Sequence, residues 1–353
     1  MLGVLLPSLL GAISCVASVR EPIRSGDRLV FRADGHSPSK SDEVLNVPFK
    51  APAAYFVEFE PIYDHFRIHH VAIIGCRQSY RLNQTWLGSR VCRESQRVYK
   101  NIIYTQSYTA DRGLRLPDGS AFSVGHSEDE IQYIVLQIHY VSNFSGPNVR
   151  DYSGVSVRVV PQRPVRMVRV LDLVAHQRLV RDSETAASSA REQQALTSIC
   201  ELDVGERRLT TFAFLAHAHR HGRAVSVHRR RRGQEDERVF KRDPRWIQNV
   251  IPLHDGLKLR TGDEMIVTCV YDLFNVTKNT MRMTTGMSSR SEMCVVLLYY
   301  SHVADERTSF DQCVWRRYDA ASLARLTPAD ALQPPPPRPE LELATPDRQF
   351  GMT

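Results

Sequence analysis

Beyond residue 18 this 353-residue chain has no apolar run approaching the ~18 consecutive residues a membrane-spanning helix needs. A helical anchor is therefore excluded from that part. Long amphipathic helical patterns are scarce, so helical bundles and α/β folds have little support. No self-similarity recurs at a fixed period, which excludes a solenoid. A strong net charge is missing too: the formal +7 is modest and comes largely from local arginine runs. No nucleic-acid partner is expected from it. What remains is an ordinary globular composition, 42% hydrophobic and 24% charged, long enough for one large core or two.

The one long apolar stretch opens the chain, MLGVLLPSLLGAISCVAS. It lacks a basic leading segment and Pro7 interrupts it, but it is too short to span a bilayer and small residues follow it. The expectation is a cleaved secretory signal over residues 1–18. Cys15 would leave with it, and Cys76, Cys92, Cys200, Cys269, Cys294 and Cys313 form an even set suited to an oxidising compartment. Asn83, Asn143 and Asn275 lie in Asn-x-Ser/Thr sequences that accept glycans on surface loops. Together these features imply secretion or a secretory-granule lumen.

Short runs of β-branched and aromatic residues dominate the rest: Ala54–Phe59, His70–Ile74, Tyr133–Val141, Val155–Val160, Phe212–His219, Ala224–His228, Met265–Tyr271 and Met293–Tyr300. Turn signals such as Pro117-Asp118-Gly119 and Thr261-Gly262-Asp263 separate them, which predicts an all-β fold of antiparallel sandwiches. The Pro161-Gln162-Arg163-Pro164 break divides the chain into residues 19–162 and 163–325, because proline cannot donate to a sheet ladder. The proline-rich end, residues 326–353, reads as a polyproline II or disordered tail. The basic run His228–Arg232 reads as a solvated hairpin end, with a patch for acidic partners as the alternative.

Three of the strand candidates carry histidines. His217 and His219 are two residues apart in a strand, so both imidazoles share a face and can meet one ion; two polar residues at a strand exit is the other reading. His69 and His70 are adjacent and would point to opposite faces unless a bulge or strong twist intervenes. His139 ends an apolar strand, where a lone histidine is commonly a core residue. Met293 reads as core as well, although its soft thioether selects copper over zinc or magnesium when it does ligate.

The segments FRIHHVAIIGC, YIVLQIHY, SGVSV, AHAHRHGRAVS, TGDEMIVTC and SEMCVVLLYY, in this order and spacing, resemble the copper type II, ascorbate-dependent monooxygenases. This is the family of the peptidylglycine α-hydroxylating and dopamine β-monooxygenases. The resemblance runs from about Val44 to Cys313, and RLPDGSAFSVG is more similar to the peptidylglycine branch. It implies two jelly-roll-like sandwich domains facing across a cleft, each with one copper ion, and ascorbate as reductant. It implies His69, His70 and His139 as ligands of the electron-transfer copper, and His217, His219 and Met293 as ligands of the copper where oxygen and substrate meet. It also implies the bridges Cys76–Cys92, Cys200–Cys313 and Cys269–Cys294. Gln137 shares the His139 face and is a candidate to orient a ligand or water.

The resemblance further implies hydroxylation of the α-carbon of glycine-extended peptides, with a separate lyase completing amidation. Peptide-amidating enzymes hold the substrate carboxylate with an arginine before the His-x-His, and an asparagine and a tyrosine after the methionine. The corresponding residues here are Leu215, Val295 and Leu297. Alternation puts Met293, Val295, Leu297 and Tyr299 on one face, so Tyr299 is the candidate replacement phenol. Another small, more apolar substrate and a secreted copper-binding protein without turnover are the competing expectations.

Overall fold

The computed structural model describes residues 19–64, 66–93, 102–107, 113–128, 130–146, 148–175, 193–219, 221–245, 249–253, 256–272, 292–304, 312–315, 318–333 and 335. The expected signal segment, the Asn275 sequon and the chain from residue 336 onward lie outside them. The described residues are nearly all β, in three sheets. Each run of β-branched and aromatic residues expected to form a strand does so, among them Ala54–Ile62, Ile68–Cys76, Tyr133–Tyr140, Leu209–Ala218 and Cys294–Val303.

A five-stranded sheet carries Glu43–Lys50, Tyr133–Tyr140 and Ile68–Cys76 side by side, all antiparallel. A second five-stranded sheet centres on Gly222–Arg230, Glu264–Asp272 and Gln193–Asp203. The third sheet has eleven strands and passes from the first half of the chain into the second. That passage is a short parallel pairing, Arg166 opposite Ser120 and Met167 opposite Ala121, just after the proline break.

Alternation explains the packing, because a strand between two layers must be apolar on both sides. In Cys294–Val303, Val295, Leu297 and Tyr299 face one core together with Met293, while Cys294, Val296, Leu298 and Tyr300 face another. The first core is built mainly from residues 29–174 and the second from residues 171–300. In Tyr133–Tyr140, Ile134, Leu136, Ile138 and Tyr140 enter the first core, which leaves Gln137 and His139 on the opposite face.

One expectation is corrected. The packed chain does not stop at residue 325: Ala320–Leu326 forms a helix and Ala329–Leu332 a 3-10 turn. Leu323 packs on Ile199 and Ile266, and Ala331 is fully buried. Asp319 caps this helix by accepting from the Ser322 N–H, a signal visible in Asp-x-x-Ser but masked by the prolines that follow. The basic run is a hairpin end, but it is tied down by ion pairs. Arg230 grips Asp236 at 2.8 and 2.6 Å, Arg231 grips the buried Asp263 at 2.6 and 2.7 Å, and Arg229 pairs with Glu237. Those arginines are matched within the protein, which weakens the acidic-partner alternative.

Candidate metal centre

Three histidines converge at one end of the first five-stranded sheet. His139 lies directly opposite His70, but the next residue, Tyr140, pairs with Ile68. His69 is therefore the extra residue of a β-bulge, which turns it out of strict alternation. The adjacent pair and His139 then form a triangle with ring centroids 5.1, 5.2 and 5.2 Å apart. One ligand nitrogen from each lies within 4.8 Å of the others.

The Nδ1 atoms of His69 and His70 are 2.9 Å apart. That is also the span two imidazole nitrogens take around one ion bonded at about 2 Å. Burial and the neighbouring imidazoles hold His69 and His70 well below the usual histidine range, so both are neutral at neutral pH. A metal requires the neutral ring. His217 and His219 contribute to this effect on both residues, so the two groups of histidines share one electrostatic neighbourhood.

The second group is set by the strands Leu209–Ala218 and Cys294–Val303. Leu215 pairs with Leu297, His217 with Val295 and Ala218 with Cys294, so His219 and Met293 come next on the two strands. The rings of His217 and His219 are 4.9 Å apart and nearly perpendicular. The chain after them closes tightly: the Gly222 N–H donates to the His219 carbonyl at 3.0 Å, and a Cβ on Gly222 would come within 2.7 Å of the Ala218 Cβ. Met293 is held by its neighbours. Its carbonyl accepts from the Tyr271 hydroxyl at 2.5 Å, and Cys294 is bonded to Cys269. The bridges Cys76–Cys92 and Cys200–Cys313 are also formed.

The donors suit copper. Imidazoles bind it in either oxidation state, and a thioether favours the soft Cu(I) ion. Several other residues singled out from the sequence have surroundings of their own. Gln137 donates its amide to Asn46 at 2.9 Å, and Asn46 in turn donates to the Gly88 carbonyl at 2.8 Å. The observed work of Gln137 is thus to brace the Glu43–Lys50 strand. Tyr299 is fully buried, and burial pushes its phenol up; the hydroxyl has no hydrogen-bond partner among the described residues. Leu215, Val295, Leu297 and Met293 are each at most 5% exposed, so the face expected to line an open cleft is closed and apolar.

Sequence reasoning missed two acids. Asp42 accepts from His139 Nε2 at 2.7 Å across 97 residues of chain, a separation that leaves no local signal. Glu292, beside Met293, accepts from the His221 backbone N–H at 3.1 Å and so steadies the turn after the His-x-His pair.

Residues 177–322 match the family described as copper type II ascorbate-dependent monooxygenase, C-terminal domain. Over 302 residues the chain is 27% identical to peptidyl-glycine alpha-amidating monooxygenase A of Xenopus laevis, covering 84% of this chain and 30% of that protein. It is 24% identical to the human putative DBH-like monooxygenase protein 2, covering 72% of this chain and 52% of that one. It is 21% identical to dopamine beta-hydroxylase of Rattus norvegicus, covering 73% and 42%. The chain thus spans about a third to a half of the length of these relatives. Alongside the histidine geometry, these matches make the chain similar to the copper type II, ascorbate-dependent monooxygenases, residues 177–322 matching their C-terminal domain.

Proposed function

We propose that the chain is a copper- and ascorbate-dependent monooxygenase with one ion held by His69, His70 and His139 and a second by His217, His219 and Met293. Its substrate is a small molecule more apolar than a peptide carboxylate. When bound, the two coppers supply one electron each from ascorbate, so that one atom of O2 enters a C–H bond and the other leaves as water. The residues do the rest. The bulge at His69, which brings its ring near His70 and His139, supports the first set; the register that ends beside Met293, with the Cys269–Cys294 bridge and the Tyr271 bond, supports the second.

The lack of a cation or polar donor at Leu215, Val295 and Leu297 supports this substrate reading. A buried carboxylate needs a cation or several donors, and these three side chains provide neither. A glycine-extended peptide is the second reading, supported by similarity over 84% of the chain to the Xenopus protein. Two sandwich units, divided near the Pro161–Pro164 break and with the second running past residue 325, is the reading that the two cores support. A secretory lumen is supported by the three disulfides. Asn83 and Asn143 are exposed and accessible to glycan transfer.

Incubating the full chain with copper, ascorbate, oxygen, a glycine-extended peptide and its carboxylate-free analogue tests this. Oxygen added to the analogue supports the apolar-substrate reading, and oxygen added only to the acid supports the peptide reading. Two bound coppers with neither product would leave a copper-binding protein, and absence of copper binding would overturn the proposal.

A further inference from the structure

We infer that Asp42 is a positioning residue for the first copper group, holding His139 in the tautomer and orientation that aim its Nδ1 at His69 and His70. This inference rests on the copper reading above. Asp42 has φ of 59°, the only positive value at a non-glycine residue among the described residues. Such a conformation persists where the surroundings hold it, and it clusters at functional positions. Here the surroundings are the turn into the Glu43–Lys50 strand, whose first residues pair with Tyr140 and His139. The residue just before Glu43 is thereby placed beside the imidazole.

The contact decides the protonation pattern. Asp42 Oδ1 lies 2.7 Å from His139 Nε2. An ionised carboxylate only accepts, so Nε2 carries the hydrogen and a neutral ring keeps its lone pair on Nδ1. That is the nitrogen left to join the 4.8 Å cluster with His69 and His70. A carboxylate behind a ligating histidine fixes the tautomer and orientation of the ring. The neighbouring acid cannot substitute: Glu43 is fully engaged with His36 at 2.6 Å and with Ser39 at 3.0 Å. Of the two adjacent carboxylates, Asp42 is the one bonded to the histidine triangle.

Asp42→Gly removes the carboxylate while accepting the same backbone angle without steric cost, so loss of fold does not confuse the result. Asp42→Asn keeps a carbonyl acceptor and tolerates the conformation, but removes the charge. Two measurements on the full chain are needed: copper titration against a competing chelator, and nitrogen NMR of the His139 ring in metal-free protein. Asp42→Gly is expected to weaken one of two bound coppers by about 10- to 100-fold, to leave the other unchanged, and to convert His139 into a tautomer mixture. Asp42→Asn is expected to keep the Nε2–H form with a smaller loss. Two coppers held equally by wild type and Asp42→Gly, or an Nδ1–H ring in the metal-free wild type, would overturn the role of Asp42 alone. A wild type that holds no copper would instead overturn the copper reading, and this inference with it.

Discussion

His69 Nδ1 lies 2.9 Å from His70 Nδ1, although neighbouring residues in a regular strand point to opposite faces. The bulge that makes this possible sits where His139 pairs with His70 and Tyr140 with Ile68. One extra residue in one strand brings two side chains of a two-sided pair to the same place. The position of each candidate ligand can therefore be tested through its neighbours as well as by its own removal.

Met293→Ile removes the thioether but keeps an apolar side chain of similar volume. The side chain is nearly fully buried in the first core, so a volume-conserving change is expected to cost less than ~1.5 kcal/mol of stability. Copper stoichiometry is expected to fall from two tight sites to one, with turnover lost. Retention of both sites at wild-type affinity would show that Met293 is only a core residue.

Tyr299→Phe separates a structural cost from a substrate contact. The hydroxyl is buried without a partner among the described residues, so its removal is expected to stabilise the resting protein by about 1–3 kcal/mol. If the phenol also meets substrate, KM rises in the same variant. Denaturant unfolding and steady-state kinetics on one preparation read both effects, and an unchanged KM removes Tyr299 from the substrate site.

Glu292 gives the metal-free protein a pH signature. Burial pushes its carboxyl up to about 7 from 4.5, against the hydrogen bonds from His221, His219 and Met293. A group raised in the folded state stabilises fully below its unfolded value and loses that contribution as pH rises through the folded one. Stability is therefore expected to fall between roughly pH 4.5 and 7 by something on the order of 3 kcal/mol. Glu292→Gln is expected to flatten that slope, as measured by urea unfolding across this range. A parallel slope in the variant would assign the dependence to other groups.

Leu323→Ala tests whether the segment after residue 320 belongs to the folded unit. Leu323 is buried against Ile199 and Ile266 in a small cluster, so its truncation is expected to cost roughly 2–3 kcal/mol, the low end for a buried leucine. A melting temperature equal to wild type would return the segment to the status of a tail.

Strand positions were legible because burial on both faces demands continuous β-branched and aromatic runs, and Tyr133–Tyr140 and Cys294–Val303 are such runs. The His217-x-His219 pair was legible for the same reason, since a period of two is a property of any strand. His139 and Met293 could be singled out only through family resemblance, because an isolated histidine or methionine in an apolar strand has the same local pattern whether it ligates or packs.

The sequence by itself determined the alternation along each strand, and with it which side chains share a face: Met293 with Val295, Leu297 and Tyr299, and Gln137 with His139. Only the tertiary structure decided what each face meets, because register, bulges and long-range pairing depend on neighbours remote in the chain. The bulge at His69, the Asn46 partner of Gln137, the closure over Leu297 and the reach of Asp42 to His139 all belong to that second class. A single residue of register separates an edge where three histidines converge from an ordinary one, and hydrophobic patterning does not encode that residue.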